Sequence, residues 1–111
     1  MTTLELIKKL GLKALTEFDP RDVDGVFVSD MLSDVMAGAK SGDLWITVQT
    51  HKSIIPAANL VDVSAVIITS NKTVPPDTIE LAEKHEIALL TTELPSFELI
   101  GKLYSLGLVT K

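Results

Sequence analysis

Ser64-Ala65-Val66-Ile67-Ile68-Thr69 is a continuous apolar run bounded by polar residues, and its reading decides the fold. A strand that is apolar on both faces belongs in the middle of a parallel sheet covered from both sides. Ile87 to Thr92 reads the same way. Upstream, Asp43 to Thr50 (Asp-Leu-Trp-Ile-Thr-Val-Gln-Thr) alternates: Leu44, Ile46 and Val48 point one way, Trp45, Thr47 and Gln49 the other. Asp24 to Ser29 reads as a further strand, and Lys13 to Glu17 as a short edge strand.

Helical spacing fills the intervals. Leu4, Ile7, Leu10 and Leu12, with Glu5, Lys8 and Lys9 between them, predict a short amphipathic helix ending near Gly11. A second helix follows the 24–29 strand, with Ser29 or Asp30 as N-cap. Leu32, Val35, Met36 and Ala39 share one of its faces, and Gly42 closes it. A third starts at about His51 to Ser53, tolerates Pro56 in its first turn, and contains Ile54, Ile55, Ala57, Ala58 and Leu60. Pro75-Pro76 opens a fourth that runs to about Glu86, with Ile79 and Ala82 inward. Ser96 caps the last, which turns Phe97, Ile100, Leu103, Tyr104 and Leu106 inward and stops at Gly107. Strands alternating with helices predict an α/β fold: a single three-layer domain over residues 1–111, its mainly parallel central sheet flanked by helices.

Composition narrows function by exclusion. The 111 residues include 10 Lys plus Arg and 15 Asp plus Glu, for a net charge of −5. Only Lys8 and Lys9 are adjacent, so neither nucleic acid nor an anionic membrane finds the clustered positive charge it needs. With no cysteine there is no disulfide, thiolate zinc site, iron–sulfur ligation or cysteine nucleophile. The N-terminal stretch is helical in period and lacks the apolar core of a signal peptide, and no run nears the roughly 18–20 apolar residues of a membrane span. The expectation is a cytoplasmic protein.

No phosphate-binding glycine motif is present, because none of the six glycines falls in G-x-G-x-x-G spacing and Gly101-Lys102 lies inside a helix. A nucleophile elbow and an H-E-x-x-H pattern are missing as well. Glu17, Asp19, Asp22 and Asp24 lack calcium-loop spacing and read as a solvated loop. His85 suits a helix C-terminus, where positive charge meets the dipole. These residues predict no catalytic group, metal or cofactor.

Two polar groups stand out. Asp30, Ser33 and Asp34 begin the second helix, with Asp30 and Asp34 four apart on one face. They either serve the helix N-terminus or face a ligand or partner at the carboxyl edge of the preceding strand. Thr47, Gln49, Thr50 and His51 interrupt a strand that should be apolar on both sides. Buried polar groups need partners, so these line an internal polar network or a cleft, next to the free N–H groups of a helix N-terminus. The alternative is a solvated or subunit-covered face.

Ser29-Asp30-Met31-Leu32-Ser33-Asp34-Val35-Met36 and Asp43-Leu44-Trp45-Ile46-Thr47-Val48-Gln49-Thr50-His51, with Ala65-Val66-Ile67-Ile68-Thr69 and Ser96-Phe97-Glu98-Leu99, resemble a DRTGG domain over about residues 2–108. The eponymous Asp-Arg-Thr-Gly-Gly would fall near the loop after the Val66 to Thr69 strand, where this chain reads Ser70-Asn71-Lys72-Thr73-Val74; Lys72 keeps a positive charge there. Such domains are similar to the N-terminal domain of HPr kinase/phosphorylase. They also occur beside CBS domains in regulated pyrophosphatases and within some phosphotransacetylases, as regulatory or dimer-forming modules.

The resemblance implies a non-catalytic regulatory domain that self-associates as a homodimer and binds a small anionic metabolite or nucleotide. A protein partner carrying CBS or kinase domains would fit it. Asp30, Ser33, Asp34, Thr47, Gln49, Thr50 and His51 are the expected ligand-binding or interface residues. One alternative is an interaction module without ligand, burying the Trp45, Thr47 and Gln49 face and the Met31/Leu32 region. The other is a phosphotransfer or hydrolytic enzyme using Asp30, Asp34 and His51.

Overall fold

Helices and strands alternate along residues 1–111, all of which a computed structural model describes. The order is α1 (Thr3–Leu10), β1 (Lys13–Ala14), β2 (Gly25–Val28), α2 (Leu32–Gly38), β3 (Asp43–Thr47), α3 (Ile54–Val61), β4 (Ala65–Ile68), α4 (Pro76–Lys84), β5 (Leu89–Thr91) and α5 (Ser96–Ser105). One sheet holds the five strands in the order β1-β5-β4-β3-β2. β2 to β5 are parallel to their neighbours, and β1 closes the β5 edge antiparallel, with Ala14 opposite Leu90.

The period of two along the strands sorts the apolar residues into two cores. Leu44, Ile46, Ala65, Ile67 and Leu90 point to one face, where α1 supplies Leu6 and α5 supplies Leu99 and Leu103. Trp45, Val66, Ile68 and Leu89 point to the other, where α2 supplies Val35, α3 supplies Ile54 and Ala58, and α4 supplies Ala82. The layering follows from the order of the strands. Each crossover from β2 to β5 moves one strand in the same direction, so connections of one hand place their helices on one face. The other face is left to α1 and α5. All four residues of β4 are fully buried, as its apolar run requires.

Helix α1 starts as a capping box, with the Thr2 hydroxyl accepting the Glu5 N–H, and ends on Gly11 at φ +64°. At the amino edge of β4, Arg21 makes a bidentate pair with Asp62 at 3.0 and 3.1 Å. The Ser41 hydroxyl, donating to the same carboxylate, and then Arg21 hold Asp62 below the ordinary carboxylate range. No helix is long and apolar enough to cross a membrane.

Several boundaries differ from expectation. Neither Ser29 nor Asp30 caps α2: the N-cap is Met31, and the Ser29 hydroxyl accepts the Met31 N–H one turn early. Asp30 lies outside the helix and so does not share a face with Asp34. Gly42 does not end α2, which stops at Gly38; Gly42 takes φ +86° in the turn into β3. β3 ends at Thr47, and α4 at Lys84. Met36 is exposed, leaving Val35 as the fully buried residue of α2.

The last helix departs most. Leu99 and Leu103, four apart, fill the core, while Phe97 is 87% and Tyr104 71% exposed. Ser96 is the first helical residue, its hydroxyl 2.6 Å from that of Thr69, and Pro95 is the N-cap. The helix carries two apolar stripes, and only one can face the sheet.

Ile67→Ala, in the central strand, is expected to lower stability by about 2–5 kcal/mol in urea unfolding. Phe97→Ala and Tyr104→Ala should stay within about 0.5 kcal/mol of the parent, as exposed substitutions do. Asp62 has a folded pKa below its unfolded one, so its contribution is present at neutral pH and lost as pH falls through the folded value. Asp62→Asn should therefore make the loss of stability below about pH 4 shallower, by a small amount for so exposed a pair.

Candidate functional site

The carboxyl ends of the parallel strands carry two polar groupings. At the ends of β2 and β3, Asp30 is the hub. Its Oδ1 accepts the Thr47 hydroxyl at 2.8 Å and the Val48 N–H at 2.9 Å. The Gln49 N–H donates to Thr47 Oγ1 at 3.1 Å, and Gln49 Nε2 donates to the Asp30 carbonyl at 3.3 Å. Beneath them Trp45, fully buried, donates its indole N–H to the Ser29 carbonyl at 2.9 Å.

Asp30, Thr47 and Gln49 therefore meet in a network that ties the β2–α2 loop to the end of β3, with Thr47 buried and Asp30 and Gln49 exposed. Trp45 and Thr47 are buried inside the chain, which overturns the alternative of a solvated or subunit-covered face for these two. Ser33 and Asp34 lie exposed on the first turn of α2, where Asp34 accepts weakly from the Ser29 hydroxyl at 3.4 Å. Thr50 stands outside this network, and its carbonyl accepts the Thr78 hydroxyl of α4 at 2.8 Å. His51 is exposed, and its Nδ1 accepts the Ser53 N–H at 3.1 Å. It borders a separate shallow depression with Asp77, Glu80 and Lys84, between α3 and α4.

The second grouping was not expected. A cleft of about 730 Å³ opens at the carboxyl ends of β4 and β5, within the usual range for small-molecule sites. The β4–α4 connection contributes Asn71, Lys72, Thr73 and Val74, and the β5–α5 connection Thr92, Glu93 and Leu94. Lys13 at the start of β1 and Lys102 on α5 complete its charge. These two connections leave adjacent parallel strands for opposite faces of the sheet, α4 to one and α5 to the other. Such a divergence opens a crevice in α/β sheets, and ligands bind there. The connections after β2 and β3 both run to the same face and open none.

The loop that presents Lys72 is held in an unusual backbone. Ser70 has φ +69° and Asn71 φ +56°, both in the left-handed region that glycine normally occupies. The Ser70 N–H donates to the Leu94 carbonyl at 2.9 Å and the Asn71 N–H to the Thr92 carbonyl at 3.0 Å. Each left-handed residue costs on the order of 1 kcal/mol or more, and such strain collects at functional sites.

The sequence profile of the DRTGG domain matches residues 5–106. The chain belongs to the DRTGG domain family. A similar solved structure is the crystal structure of the CBS and DRTGG domains of the regulatory region of Clostridium perfringens pyrophosphatase, complexed with its activator, diadenosine tetraphosphate. It superposes with a TM-score of 0.68 at 22% identity, over 89% of this chain and 44% of that one, which shows a shared fold. This DRTGG domain thus spans less than half of that structure. No curated protein matches it.

In this DRTGG domain the strained loop is the place where the family's eponymous sequence was expected. Ser70 and Asn71 hold a glycine-like backbone without glycine. Sequence reasoning named Lys72 alone among the three lysines, because Lys13, Lys72 and Lys102 lie on three different elements. Strand order and the side taken by each helix are the signals that bring them together.

Thr47→Val keeps the shape of the side chain but removes both the donor to Asp30 and the acceptor for Gln49. It is expected to cost about 1–3 kcal/mol in chemical unfolding.

Proposed function

We propose that this chain is a non-catalytic regulatory domain of the cytoplasm that self-associates as a homodimer and binds a small anionic metabolite at the lysine cleft. One observation carries the reading. Lys13, Lys72 and Lys102 line one cleft, and none has a side-chain carboxylate within 4 Å, since the one ion pair between side chains is Arg21–Asp62. In a protein of net charge −5, three lysines against one carboxylate, Glu93, make the lining of this cleft net positive, which suits an anion.

The Asp30, Thr47 and Gln49 network then serves to fix the β2–α2 loop and the end of β3. Its hydrogen bonds are made internally, whereas the lysines' are free. Ser33, Asp34, Thr50 and His51 flank this network and would contribute to an interface rather than to the anion site. A DRTGG domain within the regulatory region of a pyrophosphatase supports a regulatory role, and a protein carrying CBS or kinase domains would fit as partner. A second reading, an interaction module without ligand, is favoured by the exposure of Phe97 and Tyr104 on α5.

Thermal unfolding against inorganic pyrophosphate and adenine nucleotides tests the first reading, with the mass in solution measured alongside. A ligand at about 100 times its Kd should add about 2.7 kcal/mol, a shift of several degrees for a domain of this size. The double variant Lys72→Ala, Lys102→Ala should lose the shift and keep its parent Tm without ligand. Loss in Gln49→Ala or His51→Ala instead would put the ligand at the β2–β3 edge. A dimer with no shift from any anion would favour the interaction module.

A further inference from the structure

Only four of the fourteen residues that line the cleft are charged, and five are apolar. Leu15, Val74 and Ile79 form one wall, packed at their bases against the core under α2, α3 and α4. Leu10 and Leu94 form the facing wall, packed against the core under α1 and α5. All five are half-buried, so each keeps apolar surface turned outward from the core it seals. A site for a bare inorganic anion has no use for two apolar walls. Sites for organic ligands combine such walls with a few placed polar groups.

Resting on the anion-binding reading above, we infer that the cleft takes a phosphate monoester carrying an aromatic or apolar body, with the phosphate on the lysines and the body between the apolar walls. The chemistry of each part agrees. Lysine serves phosphate as a compact point charge on a flexible stem, and the cleft contains no arginine that would demand a bidentate oxyanion. Glu93, the one carboxylate of the lining, suits a hydroxyl or amine donor on the ligand's body. The left-handed Ser70–Asn71 pair, pinned to Thr92 and Leu94 through backbone bonds, sets the loop before any ligand arrives, so little ordering is spent on binding.

Adenosine 5′-monophosphate and ribose 5-phosphate carry the same phosphate and sugar and differ in the aromatic base, so their Kd values by calorimetry on the full chain separate charge from body. The expected result is that the adenosine ester binds at least tenfold tighter. Lys72→Ala should weaken both ligands about tenfold, as loss of a hydrogen bond to a charged group does. Val74→Ser, in the loop and away from the sheet, should weaken the adenosine ester and leave ribose 5-phosphate unchanged; a loss of both would show a disrupted loop, and Leu10→Ser then provides the same test from the facing wall. Equal affinities for the two ligands would overturn the amphipathic site and leave the anion-binding reading standing. Binding of neither, or binding indifferent to Lys72→Ala, would overturn both.

Discussion

Complete burial of the central strand is the constraint on which the rest of this molecule depends. Ala65, Val66, Ile67 and Ile68 are enclosed on both faces, so no residue of β4 can present a polar group without leaving it unpaired in the core. Thr47 shows the exception and its condition: it ends β3, is buried, and is tolerated because Asp30 reaches across to accept the hydrogen bond of its hydroxyl. Any chemistry is thereby moved to the strand ends, where connections meet solvent.

The direction of winding determines where a crevice opens at the strand ends. From β2 to β5 the chain advances steadily, and α2, α3 and α4 accumulate on one face. The chain after β5 must cross to the other face to supply α5, so that α5 can cover the second core with α1. The crevice between the β4–α4 and β5–α5 connections is the geometric consequence of covering both faces of one sheet. The lysines, the strained Ser70–Asn71 pair and the apolar walls all gather there.

Much of the fold was legible because runs such as Ser64–Thr69 admit one interpretation: period two and apolarity on both faces leave only a covered parallel strand. The edge strand expected over Lys13 to Glu17 forms at Lys13–Ala14 only, and α1 ends at Gly11, where a glycine suits the left-handed cap. It failed where a residue type suits two environments. Phe97 and Tyr104 read as core by hydrophobicity, yet their stripe lies on the side of α5 away from Leu99 and Leu103. Asp30 read as a helix cap by position, and its carboxylate instead joins two strand ends. The polar positions of the 43–50 segment did announce a network. The lysine cleft announced nothing, since its members come from β1, α5 and a loop, and only the strand order brings them together.

The proposed anion site lies at the ends of β4 and β5 and not at the ends of β2 and β3. Backbone amide chemical shifts, followed residue by residue during titration with inorganic pyrophosphate, test it most directly. An anion in the lysine cleft should produce saturable changes concentrated at residues 71–74 and 92–94, with those of Val48, Gln49 and Ser53 left in place. Changes concentrated at Asp30, Gln49 and His51, with the 71–74 loop unmoved, would contradict it.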